Sequence, residues 1–289
     1  MKVLFFGVLS DYCVLPKILF FSICDETIFM PELPEVESFR RYLEDTSMGK
    51  PIIEVEVKRE KILHEISIDE LVAKLICRRF LKTLRWGKLL FIQTDGGVWL
   101  TVHFGMTGLL FFFHQLTQEP KHCRLLIKFC DNNYLCFDDQ RLFGRIGIVQ
   151  NIDSFVKKHH LGPDVLTLNK DKFVNIILNK KTAIKNVLMK QELFAGIGNE
   201  YSDEILFQAR INPSTAASSL SEEQIEKIFQ IMGLVLNIAI KSRVEGKSFP
   251  EHFFLHSGRK RKICPRCGSK IKCQTYSGRT GCFCPNCQV

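Results

Sequence analysis

Four cysteines near the end of the chain constrain its fold more tightly than any other feature. Cys264-Pro-Arg-Cys267 and Cys284-Pro-Asn-Cys287 form two CxxC pairs with 16 residues between them, inside the spacing range of a four-thiolate zinc ribbon. Each pair can grip one ion from a single turn, and the intervening stretch can fold back as a hairpin through Tyr276-Ser-Gly-Arg279. All four coordination positions are filled, so one structural Zn2+ is expected, with no open site for chemistry. A pair of redox CxxC motifs would need a thioredoxin-like βαβ pattern around it, and none is present. Cys273 and Cys282, inside the loop of the ribbon, are expected to be bystanders. The other six cysteines, Cys13, Cys24, Cys77, Cys123, Cys130 and Cys136, fall in apolar contexts and read as buried thiols in a reducing compartment. Twelve cysteines in 289 residues are too few for a disulfide-stapled secreted scaffold.

The same tail carries the charge. Residues 241–289 hold 11 Lys and Arg against Glu245 and Glu251, a net of 11 − 2 = +9 that equals the net charge of the whole chain. The remainder is therefore close to neutral, and a polyanion is the expected partner of the tail. At 46% hydrophobic and 25% charged, the chain is too well mixed for disorder and long enough for two domains with real cores. Residues 1–29 are apolar but broken by Asp11, Pro16 and Lys17, so no run reaches the roughly 18 residues of a membrane span. The same breaks, with Cys24-Asp-Glu-Thr where small residues are needed, spoil a secretory signal. No membrane association and no secretion are expected.

Pro34-Glu-Val-Glu-Ser-Phe-Arg-Arg-Tyr-Leu43 reads as a helix to about Asp45, with Pro and acids in its first turn. From Ile52 to Val149 short β-branched and aromatic runs (IIEVEVK, LLFIQT, VWLTVHF, LLFFF, RLLIKFC, YLCF, IGIV) alternate with turn clusters. That pattern predicts an antiparallel sandwich or barrel. His160-Leu-Gly-Pro-Asp164 reads as a linker, and helices are expected near 170–179, 182–192, 199–209 and 221–243. The fold class is α+β, with sheet first, helices second and a small Cys-rich module last.

Met30-Pro31-Glu32-Leu33-Pro34-Glu35-Val36-Glu37 crowds two prolines and three acids into one place, which makes sense as a true N-terminus. Excision of Met30 would leave Pro31 with a free secondary amine, a nucleophile able to form an iminium with a sugar C1′. This segment resembles the start of the formamidopyrimidine-DNA glycosylase family, which includes endonuclease VIII. The resemblance runs through almost all of 30–289. It includes Arg85-Trp-Gly-Lys88-Leu-Leu, His103-Phe-Gly-Met106-Thr-Gly, Asp138-Asp-Gln-Arg141-Leu-Phe143-Gly and Leu161-Gly-Pro-Asp164. It continues with Gln191 through Gly196-Ile-Gly-Asn199-Glu-Tyr to Glu204, and with Gly278-Arg279-Thr to the final CPxCQ.

The resemblance implies an N-terminal antiparallel β-sandwich with an N-terminal helix, a C-terminal helical domain with a helix-two-turn-helix, and a zinc-ribbon β-hairpin. Its implied boundaries are an extension over 1–29, a catalytic domain over 30–152, a DNA-binding domain over 161–258 and a zinc finger over 259–289. The implied activity is that of a bifunctional DNA glycosylase and abasic-site lyase of base-excision repair. Pro31 would attack C1′ and form the Schiff base, Glu32 would serve as acid and base, and the strand would be cut by β,δ-elimination. Lys88 is implied as a phosphate-contacting and catalytic residue. His103, Asn199 and Arg279 are implied to bind phosphates of duplex DNA, with free N–H groups of the Gly196–Gly198 turn able to receive one. Met106, Arg141 and Phe143 would fill the gap left by a flipped nucleotide, and Glu35 would orient the site or complete a helical turn. Arg259-Lys-Arg-Lys262 would track phosphates. A monomer without small-molecule cofactor, located wherever DNA is (the nucleoid in a bacterium), completes the expectation.

Two departures from the family pattern bear on function. With residues 1–29 retained, Pro31 carries an internal amide nitrogen and forms no iminium, so translation from Met30, or processing, is expected. The stretch from Val244 to Gly258 is short for the loop that covers a flipped 8-oxoguanine. Formamidopyrimidines, oxidised pyrimidines and abasic sites are therefore the firmer substrates. Leu33 in place of Gly favours the formamidopyrimidine branch, whereas Leu142 in place of Arg has no reading from sequence. The competing expectations are a catalytically silent damaged-DNA-binding protein, a glycosylase preferring oxidised pyrimidines, and a ribosome-associated zinc-ribbon protein. The last does not account for the PELPEVE start.

Overall fold

The computed structural model describes residues 30–260 and 262–289. The readings of 1–29, including Cys13 and Cys24, lie outside these residues, as does Arg261 of the basic run. Helix α1 (Leu33–Ser47) starts where the prolines and acids predicted it. Pro34 has no N–H to lose in the first turn, and the Glu35 side chain reaches back to accept the Glu32 N–H at 3.0 Å. Its apolar stripe then buries Val36, Phe39, Tyr42 and Leu43.

The expected sandwich follows. Strands β1 (Ile52–Val57), β2 (Phe80–Trp86), β3 (Leu89–Thr94), β4 (Trp99–His103), β5 (Gly108–Phe113), β6 (Cys123–Phe129), β7 (Tyr134–Asp139) and β8 (Arg145–Val149) form two antiparallel sheets. Their orders are β1-β6-β7-β5 and β2-β3-β4-β8. Helix α2 (Ile68–Leu75), capped by Ser67, lies between β1 and β2. Neither α2 nor β2 stood out in the sequence. The apolar residues of β2 are diluted by Lys82 and Arg85 because only part of it is covered. α2 is eight residues long and buries just Leu71 and Leu75. Between the sheets Phe39 of α1 stacks on Phe104 at 4.5 Å between centroids, within a core that includes Leu90, Val102, Phe129 and Phe137.

Helix α3 (Ile152–Lys158) closes the sheet region. Beyond the linker come α4 (Lys170–Leu178), α5 (Ile184–Met189), α6 (Asn199–Ala209) and α7 (Glu222–Glu245), each within a few residues of its expected span. Ser221 caps α7 with Gln224 closing the reciprocal bond, and Gly246 ends it in the left-handed region at φ 61°. Among the described residues no helix is long and apolar enough to cross a membrane. A second core gathers these helices, and it includes Leu33, fully buried at the first residue of α1. One helix therefore belongs to both cores: its first residue packs among the C-terminal helices and the following turns among the sheets. Strands β9 (Lys272–Tyr276) and β10 (Arg279–Phe283) form the expected terminal hairpin, turning through Ser277 and Gly278 at positive φ.

Three cysteine expectations need correction. Cys273 and Cys282 are not bystanders: they face each other across the hairpin and are joined in a disulfide. Cys77 and Cys130 are exposed, because they sit in turns at the sheet edge, whereas Cys123 and Cys136 on β6 and β7 are buried as expected.

Candidate active site and nucleic-acid interface

The site forms where the N-terminus of α1 meets the N-terminus of α6. Gly196 lies at φ 122° directly against Leu33, and Leu33 N–H donates to Gly196 O at 3.1 Å. This docking presses the fully buried Glu32 carboxylate onto the start of α6, where it accepts N–H bonds from Gly198 and Glu200, the latter at 3.0 Å. Of the turn N–H groups expected to be free for a phosphate, that of Gly198 is thus taken by Glu32, since a helix N-terminus favours whichever anion is nearest, and that of Gly196 by Gln191 Oε1 at 3.1 Å. A Cβ at Gly198 would collide with both the Glu32 carboxylate and Lys88 Nζ. Only glycine lets these groups converge there.

Burial raises the pKa of Glu32, outweighing the opposing pull of Lys88 and of the Glu200 N–H. Burial likewise lowers that of Lys88 against the attraction of Glu32, and the nearby positive charge of Arg279 lowers it further. Each member of the pair is pushed toward its neutral form, the condition in which a carboxyl can donate a proton and an amine can accept one. His103 is held neutral, with its pKa lowered to about 4 by burial and by Lys88 and Arg145. Its Nδ1 accepts the Gly105 N–H at 3.1 Å, which leaves the ring proton on Nε2 as a donor.

A cleft of about 390 Å³ opens at this junction, lined by Met30, Glu32, Asn199, Glu200, Asp203, Arg279, Thr280 and Cys282. Arg279, exposed at the hairpin turn, faces it from the opposite element. Asn199 Nδ2 donates to Thr280 O at 2.8 Å, while its buried Oδ1 has no partner. Pro31 is buried behind Met30, which reaches the cleft in its place. Met106, Arg141 and Phe143 belong to two turns packed back to back: a Cβ at Gly105 would overlap the Phe143 backbone. The Arg141 guanidinium lies 4.9 Å from the Phe143 ring centre, and that ring is 43% exposed, too open for a core residue. Leu142 takes a left-handed φ of 58° and packs against the sheet core, which is what its side chain does in this loop.

Two of the residues that hold this geometry, Asp139 and Asp164, carry no role of their own in the sequence reading, while Glu35 is expected there to orient the site or complete a helical turn. Asp139, fully buried at the end of β7, accepts N–H bonds from Arg141 at 3.2 Å and Gly144 at 2.7 Å and also binds Thr107. It thereby fixes both turns at once. Glu35 accepts Tyr201 OH at 2.6 Å and Arg243 Nε at 2.8 Å, tying α1 to α6 and α7. Burial and the Glu35 charge hold the Tyr201 hydroxyl well above its usual pKa, so it stays a donor. Asp164 of the linker accepts Arg85 in a bidentate pair and the Gly87 N–H at 2.7 Å, immediately before Lys88. The sequence signal for Asp139 and Asp164 is their place in the DDQRLFG and LGPD motifs, and a motif does not name a partner far away in the chain.

At the C-terminus the four predicted thiolates come together. Cys264 and Cys287 Sγ atoms are 3.9 Å apart, those of Cys267 and Cys284 3.6 Å apart, and all four lie within 4.8 Å of one another. Four converging sulfurs fit a tetrahedral metal ion.

Comparison with known proteins agrees with this geometry. The family model of the formamidopyrimidine-DNA glycosylase N-terminal domain matches residues 30–146, and that of the formamidopyrimidine-DNA glycosylase H2TH domain matches 161–250. The chain belongs to the formamidopyrimidine-DNA glycosylase family. The family member from Carboxydothermus hydrogenoformans is 32% identical over 276 residues, covering 90% of this chain and 100% of that one. A relative from Arabidopsis thaliana is 31% identical, covering 90% and 71%. Among solved structures, Lactococcus lactis formamidopyrimidine-DNA glycosylase bound non-covalently to DNA containing an AP site superposes with a TM-score of 0.80 at 28% identity, over 89% of this chain and 99% of that one. The same enzyme with DNA carrying N7-benzyl-Fapy-dG gives 0.79 at 28% identity, with the same coverage. Membership makes this chain a DNA glycosylase of base-excision repair.

Proposed function

We propose that the chain excises oxidised bases from duplex DNA and cleaves the resulting abasic site through an iminium at Pro31. The observation that carries this reading is Glu32, adjacent to Pro31, fully buried in the cleft and biased toward its protonated form beside Lys88. In the reaction the Pro31 nitrogen attacks C1′, the N-glycosidic bond breaks, and the base departs with a proton. Glu32 protonates O4′ as the sugar ring opens to the iminium. Loss of a C2′ proton expels the 3′ phosphate, δ-elimination expels the 5′ phosphate, and water releases Pro31. Lys88, His103, Asn199 and Arg279 hold phosphates. Met106, Arg141 and Phe143 fill the space left by the extruded nucleotide. Zn2+ at Cys264, Cys267, Cys284 and Cys287 would only hold the hairpin that carries Arg279.

Pro31 must have a free amine for this chemistry. The family match begins at Met30, and Met30 stands in the cleft, so the acting form is one that begins at Pro31. In this proposal residues 1–29 lie upstream of the functional start, 30–152 form the catalytic domain, 161–258 the helical DNA-binding domain and 259–289 the zinc finger. The substrate preference is for formamidopyrimidines, oxidised pyrimidines and abasic sites over 8-oxoguanine. The segment after α7 supports this preference, because its side chains are spent on packing. Phe249, Phe253 and Leu255 are buried in the helical core, and Phe254 stacks on Phe207 at 3.7 Å. Leu255 N–H is bound to Glu204 at 2.9 Å, so little chain remains to cover an extruded base.

The test is borohydride trapping of protein beginning at Pro31 on a duplex with an abasic site, followed by peptide mapping. A covalent adduct on Pro31 is the expected result. Absence of an adduct from folded, metal-loaded, DNA-binding protein would replace this reading with that of a silent damaged-DNA-binding protein.

A further inference from the structure

We propose that His64, Glu65 and His159 form a second metal site, for a borderline divalent ion of the Zn2+, Ni2+ or Cu2+ class, which shares no residue with the cleft or the thiolate cluster. One ligand atom from each of the three side chains lies within 4.8 Å of the others. Backbone hydrogen bonds place the two histidines independently. His64 N–H donates to Ile146 O at 2.8 Å, which pins it to β8. His159 ends α3, donates its N–H to Phe155 O at 3.0 Å and packs its ring on Phe155 at 4.2 Å. The two histidine rings are 5.9 Å apart between centroids.

The observation that points to a ligand is His159 Nε2, which is buried and has no hydrogen-bond partner. A buried ring nitrogen without a partner is unfavourable, and a metal ion satisfies it. Glu65 is already aimed at a cation: its Oε2 is 2.5 Å from Lys158 Nζ. A first-row ion holds such donors at about 2.0–2.2 Å, hence about 3.4 Å apart in a tetrahedron. The site therefore closes by rotamer changes of His64 and Glu65, both exposed, with Glu65 giving up its Lys158 pair. Two imidazoles and one carboxylate select zinc, nickel or copper over magnesium or calcium, which take oxygen donors. Water would complete the coordination. A bound ion would tie the segment before α2 to the end of α3, just ahead of the linker, and so brace the sandwich where the second domain departs.

The experiment is calorimetric titration of the full chain, carrying its thiolate-bound metal, with Ni2+ as the probe. Zinc release is followed in parallel with a colorimetric indicator. One Ni2+ is expected to bind without displacing zinc and to raise the melting temperature. His64→Ala and His159→Ala should each weaken binding by about tenfold or more. Lys158→Ala should strengthen it, because the competing ammonium is gone, and this gain cannot come from misfolding. Absence of uptake, uptake that tracks zinc release, or uptake undiminished in the double variant His64→Ala/His159→Ala would each overturn the proposal.

Discussion

Two buried carboxylates flank the first turns of α6, and they are used in opposite ways. Glu32 arrives from the other domain, accepts two backbone N–H bonds, and stands beside a desolvated Lys88 in an open cleft. Asp203, on α6 itself, accepts Lys185 Nζ at 2.6 Å and the Cys282 N–H at 2.9 Å. The Lys185 side chain is fully buried and also donates to Asn199 O and Ser202 Oγ at 3.0 and 2.9 Å. The second anion is matched by a full counter-charge and locks the hairpin to the helix. The first is compensated by dipoles and a neighbouring amine, and its proton affinity stays displaced. A buried acid becomes a reagent when its compensation is incomplete, and a fastener when it is complete.

Glu32→Gln should break that contrast if it is false. Removing the proton donor is expected to slow abasic-strand cleavage by roughly 10²–10⁴-fold with the fold intact, as read by single-turnover rates alongside circular dichroism. In the parent enzyme the same rate should fall as pH rises through the elevated pKa of Glu32, because the protonated form is then lost. Lys185→Met tests the other side. It leaves Asp203 buried without its ion, which should cost about 3–5 kcal/mol of stability, measured by denaturant unfolding, while the folded fraction still incises DNA. If Glu32→Gln unfolds the protein and Lys185→Met leaves it unchanged, the contrast fails.

Two smaller effects sharpen it. Phe143 is exposed on a loop held by Asp139, a third buried carboxylate of the fastening kind. Phe143→Ala should weaken damaged-DNA binding by about 1–3 kcal/mol, while a titration melt shows stability changed by less than about 0.5 kcal/mol. His103 has a depressed pKa, so the unfolded chain takes up its proton first as the pH falls. The fold therefore loses stability between pH 6.5 and about 4. His103→Asn should flatten that slope in melts across this range.

Much of this molecule could be read along the chain. The four thiolates and the hairpin between them follow from spacing, the sheet region from its alternating runs, and α1 from two prolines and an acid three residues after Glu32. These are local patterns, and local stereochemistry enforces them. Strand β2 and helix α2 were illegible because their apolar signal is weak, with the burial supplied by partners elsewhere.

Pairings between distant residues had to wait for the folded chain. Asp164 to Arg85, Glu35 to Arg243, and Asp139 to Thr107 span from 32 to 208 residues. No periodicity records which acid will meet which base. The disulfide of Cys273 and Cys282 depends on strand register, and the occupation of the α6 N-terminus by Glu32 depends on how two domains dock through Leu33 and Gly196. Residue types and spacing set the elements and the chemistry available. Desolvation and charge pairing, which exist only once distant segments share a buried volume, decided which of those groups are reactive.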